Sequence, residues 1–181
     1  MNTPTPDQLA AITDISIVNP LSEFVFTAIE TAEADSYADK VRYVVEQQLT
    51  PHAAHWFFIT NLLGLWAHGG MQELLLCEAD QIANKQWELK NAVEGFKAFG
   101  CNETAAFIAK LIPKAVAWST GLAELNAKAE AGETVAEATF DAIWDEVDSF
   151  DLPFDMGFDG DPDVYEAMTL DVRAHPEKYI R

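Results

Sequence analysis

The sequence predicts an all-α protein, a compact single-domain helical bundle of about eight helices. Nearly every segment of the 181 residues places apolar side chains at helical spacing, and no alternating pattern of convincing strand length occurs. The dipeptides Asn19-Pro20 and Thr50-Pro51 each join a capping side chain to a proline at the first helical position. With 49% hydrophobic and 11% aromatic residues, the chain has enough material for one large core.

The helices up to residue 100 are predicted from these caps and from the spacing of apolar residues. After Thr50-Pro51 the sequence HAAHWFFITNLLGLWAHGG is apolar almost all round, so this helix should form the centre of the core. Gly69-Gly70 should break it sharply, either because one of the two glycines has φ above zero or because the pair lets two helix backbones approach closely. The next helix, KQWELKNAVEGFKAFG, is amphipathic and closes at Gly100.

The later helices are predicted from further capping signals. Asn102 is a candidate N-cap for a helix that runs through Pro113, where a kink can form. Thr134 and Glu137 have the spacing of a capping box that opens VAEATFDAIWDEVDSF. An Asp- and Gly-rich loop follows, and Asp161-Pro162 is predicted to start the final helix.

The charge of the protein is strongly negative and unevenly distributed. Thirty acidic residues against eleven basic ones give a formal net charge of −19. Residues 1–39 carry seven acids and no base, residues 40–128 are neutral, and residues 129–172, here called the acidic segment, carry fourteen acids and no Lys or Arg. We therefore divide the single domain 1–181 into acidic N-terminal helices (1–39), a neutral helical core (40–128), and an acidic helix, Asp-rich loop and final helix (129–181).

In the acidic segment, carboxylates line one face of the predicted helix. Acids recur every three or four residues from Glu133 to Asp148, opposite the apolar face, so the row extends about 22 Å at 1.5 Å per residue. A DNA strand carries one charge per about 3.4 Å of axis, so the row has about half that linear density. The candidate phosphate-mimicking residues are Glu130, Glu133, Glu137, Asp141, Asp145, Asp148, Asp151, Asp155, Asp159, Asp161 and Asp163.

Several other function classes find little or no support in the sequence. Direct nucleic-acid binding requires clustered Lys and Arg, which the chain lacks. Neither a nucleophile motif nor a phosphate-binding glycine loop is present, so we expect no catalytic site and no cofactor. We also expect no metal site, because His52, His55 and His68 lack a matching carboxylate or Cys. In addition, the Asp159, Asp161 and Asp163 spacing lacks the Gly and Glu of a calcium loop.

The sequence also carries expectations about location. The N-terminal residues show neither a basic region nor an apolar stretch of a secretory signal, and no apolar run is long enough to span a membrane. Two cysteines, Cys77 and Cys101, are too few for a disulfide framework and are expected to be buried thiols. We expect a cytoplasmic protein without membrane contact.

The middle and the end of the chain resemble a small, mostly uncharacterised all-α bacterial family that includes an acidic neisserial DNA-mimic protein. The resemblance lies in WAHGGMQELLL, in the helix and Gly100 that follow, and in the closing VYEAMTLDVRAHPEKYI, and it covers about residues 62–112 and 164–180. Gly69, Gly70 and Gln72 match the family motif, whereas His68, Met71 and Leu74 depart from it. The resemblance implies an all-α fold. It also implies DNA mimicry as one function that this chain could share with the family.

Charge and resemblance together predict a non-enzymatic DNA mimic. Its carboxylates would occupy the DNA-binding site of a transcription factor or nucleoid protein, with acids of residues 1–39 as a possible second strip. We expect a homodimer, because one 22 Å row is shorter than the roughly 34 Å between the half-sites of dimeric regulators. The alternatives are a structural or immunity-type interaction module whose charge serves solubility, and a metal-dependent binding module or cryptic enzyme.

The matched motif has two interpretations. Gly69, Gly70 and Gln72 are predicted to be fold determinants, with Gln72 hydrogen-bonded to the backbone of a neighbouring loop. Alternatively, the glycine pair and His68 line a small-molecule site, since glycine-rich turns at helix N-termini also receive anions.

Overall fold

Eight α-helices form the fold in a computed structural model that describes residues 3–16, 18–150 and 160–181. These ranges contain no β-strand, so the predicted all-α fold is confirmed. Two 3-10 turns, Ala79–Gln81 and Pro176–Lys178, complete the secondary structure. The helices are α1 (Pro6–Ala10), α2 (Pro20–Thr31), α3 (Tyr37–Gln47), α4 (Pro51–Leu75), α5 (Ile82–Ala98), α6 (Asn102–Glu130), α7 (Glu137–Asp148) and α8 (Val164–Ala174).

Helix α4 is the centre of the core, as its nearly continuous apolar sequence predicts. Four consecutive side chains, Trp56 to Ile59, are buried, which requires neighbours on every side of the helix. Helix α5 packs along α4 and α6 packs along α5. The α4–α5 approach is close at Gly95, where an added Cβ would lie 3.1 Å from Ile59 Cδ1 and 3.2 Å from the carbonyl oxygen of His55.

Several predicted helix boundaries are confirmed by hydrogen bonds or dihedral angles. Asn19 Oδ1 accepts from the backbone N–H groups of Leu21 (2.9 Å) and Ser22 (3.1 Å) at the start of α2. Thr50 Oγ1 accepts from the N–H of Ala53 at 3.2 Å at the start of α4. Gly100, just past α5, has φ of +81°, a left-handed conformation that favours glycine.

Two predicted caps are wrong. Helix α6 begins at Asn102 itself, and the Asn102 side-chain amide donates to the carbonyl of Gly100 at 3.2 Å instead of capping. The capping box of Thr134 does not form, because the chain stays extended up to Ala136 (φ −69°, ψ 131°) and α7 begins at Glu137. Residues between α6 and α7, including Glu133, therefore precede the acidic helix rather than belonging to it.

Helices α6 and α8 follow the sequence more closely over their lengths. Helix α6 continues through Pro113 as one helix from Asn102 to Glu130. The final helix begins two residues later than predicted, with Asp163 as its N-cap: Asp163 Oδ1 accepts from the backbone N–H of Glu166 at 2.9 Å. None of the helices in the described ranges combines the length and the apolar character that a membrane crossing needs.

The predicted break at the glycine pair is confirmed at Gly70. Its φ of +66° and ψ of −155° interrupt α4, and this region of conformational space is essentially restricted to glycine. Gln72 follows the break, and its Nε2 donates to Asp148 Oδ1 at 2.8 Å. The predicted partner of Gln72, a loop backbone, is therefore wrong, because the turn at Gly70 directs this side chain to a carboxylate of α7.

We expect Gly70→Ala to lower the free energy of unfolding by about 1–3 kcal/mol, because a Cβ is strained at this φ and ψ. The matched control is Gly64→Ala in the same helix, where an added Cβ meets nothing within 4 Å. Gly64→Ala should be neutral or stabilise by up to about 1 kcal/mol, because alanine favours the helix. Urea unfolding measures both, and equal stability of the two variants would show that the break does not need glycine.

Candidate functional site

The candidate site is the outer face of α7, where the sequence places a row of carboxylates. Glu137, Asp141 and Asp145 are exposed, and none forms a hydrogen bond or ion pair between its carboxylate and a described residue. Their spacing of four residues puts successive carboxylates about 6 Å apart along the helix axis. Asp148 continues the face and is exposed as well.

The opposite face of α7 is fixed to α6 by apolar and polar contacts. Val147 is fully buried, and Ile143 packs where Gly121 leaves room, since a Cβ there would lie 3.2 Å from Ile143 Cδ1. Glu146 accepts from Trp118 Nε1 at 2.9 Å and pairs with Lys114 Nζ at 3.1 Å. These contacts hold α7 with its carboxylate row facing outward.

Glu146 is a residue whose role the sequence reasoning missed. The hydrogen bond from Trp118 and the hydrogen bond and charge of Lys114 hold the pKa of the Glu146 carboxyl below its usual value. Glu146 lies next to Asp145 but outside the spacing of the row. That offset toward the apolar face is the only sequence signal that separates it from the outward acids.

Three of the candidate carboxylates have structural contacts. Asp148 accepts from Gln72, and Asp163 caps α8. Asp161 caps α6 from a distance in sequence. Its Oδ1 accepts from the N–H of Glu103 at 3.0 Å, and its Oδ2 accepts from the N–H and hydroxyl of Thr104 at 2.8 and 2.7 Å.

The electrostatics of Asp161 reflect this cap. Burial raises the pKa of the Asp161 carboxyl, but the hydrogen bonds from Thr104, Glu103 and Asn102 together outweigh burial and leave the pKa below its usual value. The position is also favourable because a carboxylate at a helix N-terminus interacts well with the helix dipole. Asp161 thus caps the N-terminus of α6, the role that the sequence predicted for Asn102.

The remaining candidates lie before and after α7. Glu130 ends α6 and Glu133 follows it, and both are exposed and without an ion pair to a described residue. Asp151, Asp155 and Asp159 lie outside the described residues. Five of the candidate carboxylates are exposed and have no partner among the described residues. They are here called the free carboxylates: Glu130, Glu133, Glu137, Asp141 and Asp145.

A groove of about 780 Å³ lies beside the carboxylate row. It runs between the end of α4, the C-terminal half of α6 and α7, and its walls include Leu122 and the half-buried Trp144. Glu78 and Glu130 stand at its walls as well. The row therefore borders a concave, partly apolar surface with acidic edges.

The histidines of the central helix are at its two ends. His52 and His55 lie 6.3 Å apart between ring centroids, and the His52 ring packs against buried Tyr179. His68 is exposed, and its Nδ1 contacts the carbonyl of Gly64 at 2.7 Å. In the part of the chain that the structure describes, no three His, Cys, Asp or Glu side chains are grouped so that they could hold a metal ion.

The two thiols differ in burial. Cys101 is buried as predicted, and burial raises the pKa of its thiol to about 11, so it is not a ready nucleophile. Cys77 is only half-buried and lies 3.7 Å from Ser119 Oγ.

Comparisons of the chain with protein-family models, with curated proteins and with solved structures find no match. The resemblance of residues 62–112 and 164–180 to the DNA-mimic family therefore stays a prediction.

We expect Asp161→Ala to lower the free energy of unfolding by about 1–2 kcal/mol at pH 7, because it removes the cap of α6. The control is Asp141→Ala, an exposed carboxylate without a described partner, which should change stability by less than about 0.5 kcal/mol. Since the folded pKa of Asp161 is lowered, its contribution is present above the unfolded pKa and is lost as pH falls below about 4. The prediction fails if urea unfolding gives the two variants the same stability at pH 7.

We expect His55 to make the protein less stable as pH falls from about 7 to 5.5. Burial and the neighbouring His52 lower the pKa of His55, and Glu94 offsets this only in part. The unfolded state then takes up the proton first, so stability is present above the unfolded pKa of about 6.5 and declines below it.

Urea midpoints at pH 7.5, 6.5 and 5.5 measure this dependence for the parent and for His55→Gln. The decrease in the free energy of unfolding between pH 7.5 and 5.5 should be smaller in the variant. The difference should be on the order of 1 kcal/mol for each unit by which folding lowers the pKa of His55. The self-repulsion of the acidic residues changes with pH in both proteins alike and cancels in the comparison. Parallel curves over this range would exclude the role of His55.

Proposed function

We propose that this chain is a cytoplasmic DNA mimic that binds a DNA-binding protein in place of DNA. The observation that carries the proposal is the set of free carboxylates, Glu130, Glu133, Glu137, Asp141 and Asp145. They face solvent in a segment without Lys or Arg. These carboxylates resemble the phosphates of a duplex in one respect: they are a series of negative charges in a segment that has no Lys or Arg. A basic DNA-binding surface would therefore be attracted to them as it is to DNA.

The alignment of these charges supports mimicry over simple solubility. Like charges four residues apart on a helix cost a few tenths of a kcal/mol per pair. Solubility needs negative charge on the surface but does not need it in a row. The structure also orients the row, because Glu146 and Val147 fix the opposite face of α7 to the core.

The structure suggests a division among the candidate residues. The free carboxylates would stand in for phosphates, whereas Asp148, Asp161 and Asp163 contribute mainly to the fold through hydrogen bonds. The helical part of the row, from Glu137 to Asp148, is about 16 Å long at 1.5 Å per residue. This is shorter than the separation of two half-sites, which supports the proposed homodimer as the form that engages a dimeric regulator.

A second candidate function is a protein-interaction module without mimicry. The groove beside the row favours it, because Leu122 and Trp144 offer apolar contact area that a phosphate-binding surface would not need. The two candidates differ in one respect that can be measured. A DNA mimic and duplex DNA compete for one surface of the partner, whereas another module leaves the partner's DNA site open.

The test starts from proteins of a bacterial lysate that bind to immobilised duplex DNA and are eluted by salt. Those retained by this chain are purified, and their affinity for it is measured with and without competing duplex. We expect competition by DNA and weaker binding at higher salt. A partner that binds the chain and duplex DNA at the same time would exclude mimicry.

Charge reversal then locates the surface. Asp141→Lys combined with Asp145→Lys should weaken binding at least about tenfold at low salt, because like charges would face the basic partner. The control, Glu46→Lys with Asp80→Lys, makes the same change in net charge at exposed positions of the neutral segment. Circular dichroism checks the fold of both. Equal losses of affinity in the two double variants would mean that net charge, and not the row, determines binding.

A further inference from the structure

A second cavity, of about 470 Å³, lies between α2, the loop before it and the N-terminal half of α4. Trp56 lines it and is only 1% exposed, while Val18 and Phe26 line it and are 81% and 42% exposed. The volume is in the range of cavities that hold small organic ligands. The cavity thus joins buried and exposed apolar residues in one concave surface.

Two residues that line this cavity each carry a buried polar atom that lacks a hydrogen-bond partner. Trp56 Nε1 and Thr60 Oγ1 are both buried, and neither has a partner among the described residues. They lie four residues apart on α4, so they share one face of the helix and one cavity. An unsatisfied buried donor costs about 1–3 kcal/mol, so a ligand whose acceptor atom reaches either group would gain this free energy.

Two other hydroxyl groups of the lining are satisfied by their neighbours. Ser16 Oγ donates to Asp14 Oδ1 at 2.6 Å, and Ser22 Oγ donates to the carbonyl of Asn19 at 2.8 Å. Thr27, the remaining hydroxyl of the lining, is exposed, so the buried polar atoms without a partner that the structure describes in this lining are Trp56 Nε1 and Thr60 Oγ1.

The charged side chains that line the cavity are both acidic. Glu23 and Glu30 are exposed residues of α2, seven positions apart and so on the same side of the helix. Neither carboxylate forms an ion pair with a described residue. Lys40 approaches this region, but its Nζ donates to the main-chain carbonyl of Glu30 at 3.3 Å and not to the carboxylate.

We propose that this cavity binds a small organic cation, namely a primary ammonium compound with an aromatic body and a carbonyl oxygen. The ammonium group faces Glu23 and Glu30, the aromatic body packs among Val18, Phe26 and Trp56, and the carbonyl accepts from Trp56 Nε1–H or the Thr60 hydroxyl. Each chemical group of this ligand is thus complementary to a group of residues in the lining. A second copy of the chain is a poor occupant, because it would bring further acidic residues to Glu23 and Glu30.

Phenylalaninamide is the probe, because it combines all three features and its amino group is charged at pH 6.5. Binding is measured by titration while following the indole N–H resonance of Trp56, which is assigned as the signal lost in Trp56→Phe. We expect saturable binding with a shift of this resonance. N-acetylphenylalaninamide, which lacks the charge, and phenylethylamine, which lacks the carbonyl, should each bind at least about threefold more weakly.

Variants on the exposed surface separate this site from a general attraction of cations to an acidic protein. Glu23→Gln with Glu30→Gln should weaken phenylalaninamide binding about three- to tenfold. The control Glu33→Gln with Glu46→Gln removes the same charge outside the lining and should leave affinity unchanged. Thr60→Val tests the carbonyl contact and should reduce the preference for phenylalaninamide over phenylethylamine.

Three results would overturn the proposal. The first is a Trp56 resonance that does not move at millimolar phenylalaninamide. The second is equal affinity for the three compounds, and the third is an equal loss in the control double variant. None of these results would bear on the proposed DNA mimicry, because the free carboxylates lie on α6, on α7 and between them, and not on α2 or α4.

Discussion

The close contact of α4 with α5 at Gly95 is the constraint on which the rest of the fold depends. Because an added Cβ would lie 3.1–3.2 Å from Ile59 and His55, closer than ordinary van der Waals contact, a larger residue would have to displace these neighbours by a few tenths of an ångström. The approach brings Trp87 of α5 edge-on to Phe58 of α4, with ring centroids 5.0 Å apart. Helix α6 then covers α5 and supplies Gly121, against which Ile143 of α7 packs. The position of the acidic face therefore depends on packing that begins in the neutral core.

The acidic segment has two uses for its carboxylates, and the structure separates them by their hydrogen bonds. Asp161 and Asp163 satisfy backbone N–H groups at the starts of α6 and α8, where a negative charge is also favoured by the helix dipole. Asp141 and Asp145 have no such contact with the described residues, and their charges are exposed to solvent or to a partner. A cluster of acids in a sequence thus contains both kinds, and only the exposed ones without contacts are candidates for recognition.

The parts of the fold that the sequence predicted are those set by local interactions. Asn19, Thr50 and Gly100 act within a few residues of their own positions, so their caps and turns could be read directly. The cap of α6 could not be predicted in this way, because Asp161 and Thr104 are 57 residues apart in the sequence. Nothing in the sequence near Asn102 shows that a distant carboxylate takes the capping position in place of the Asn102 side chain. The hydrogen bond of Glu146 with Trp118 could not be predicted for the same reason. Nor could the two unsatisfied atoms of the α2–α4 cavity, Trp56 Nε1 and Thr60 Oγ1, which are recognised only when α2 and α4 are placed side by side.

The two candidate sites are held by the same helix, yet their charges act separately. Thr60, at the α2–α4 cavity, and His68, before the break at Gly70, are eight residues apart on α4, on the order of 12 Å at 1.5 Å per residue. This exceeds the screening length of roughly 8 Å at physiological salt, so a cation bound beside α2 changes little in the potential beyond the break, where Gln72 contacts α7. Coupling between them would have to pass through α4 itself. Gly70 lies between Thr60 and Gln72 and interrupts the helix, so a bend there is the element through which such coupling would act.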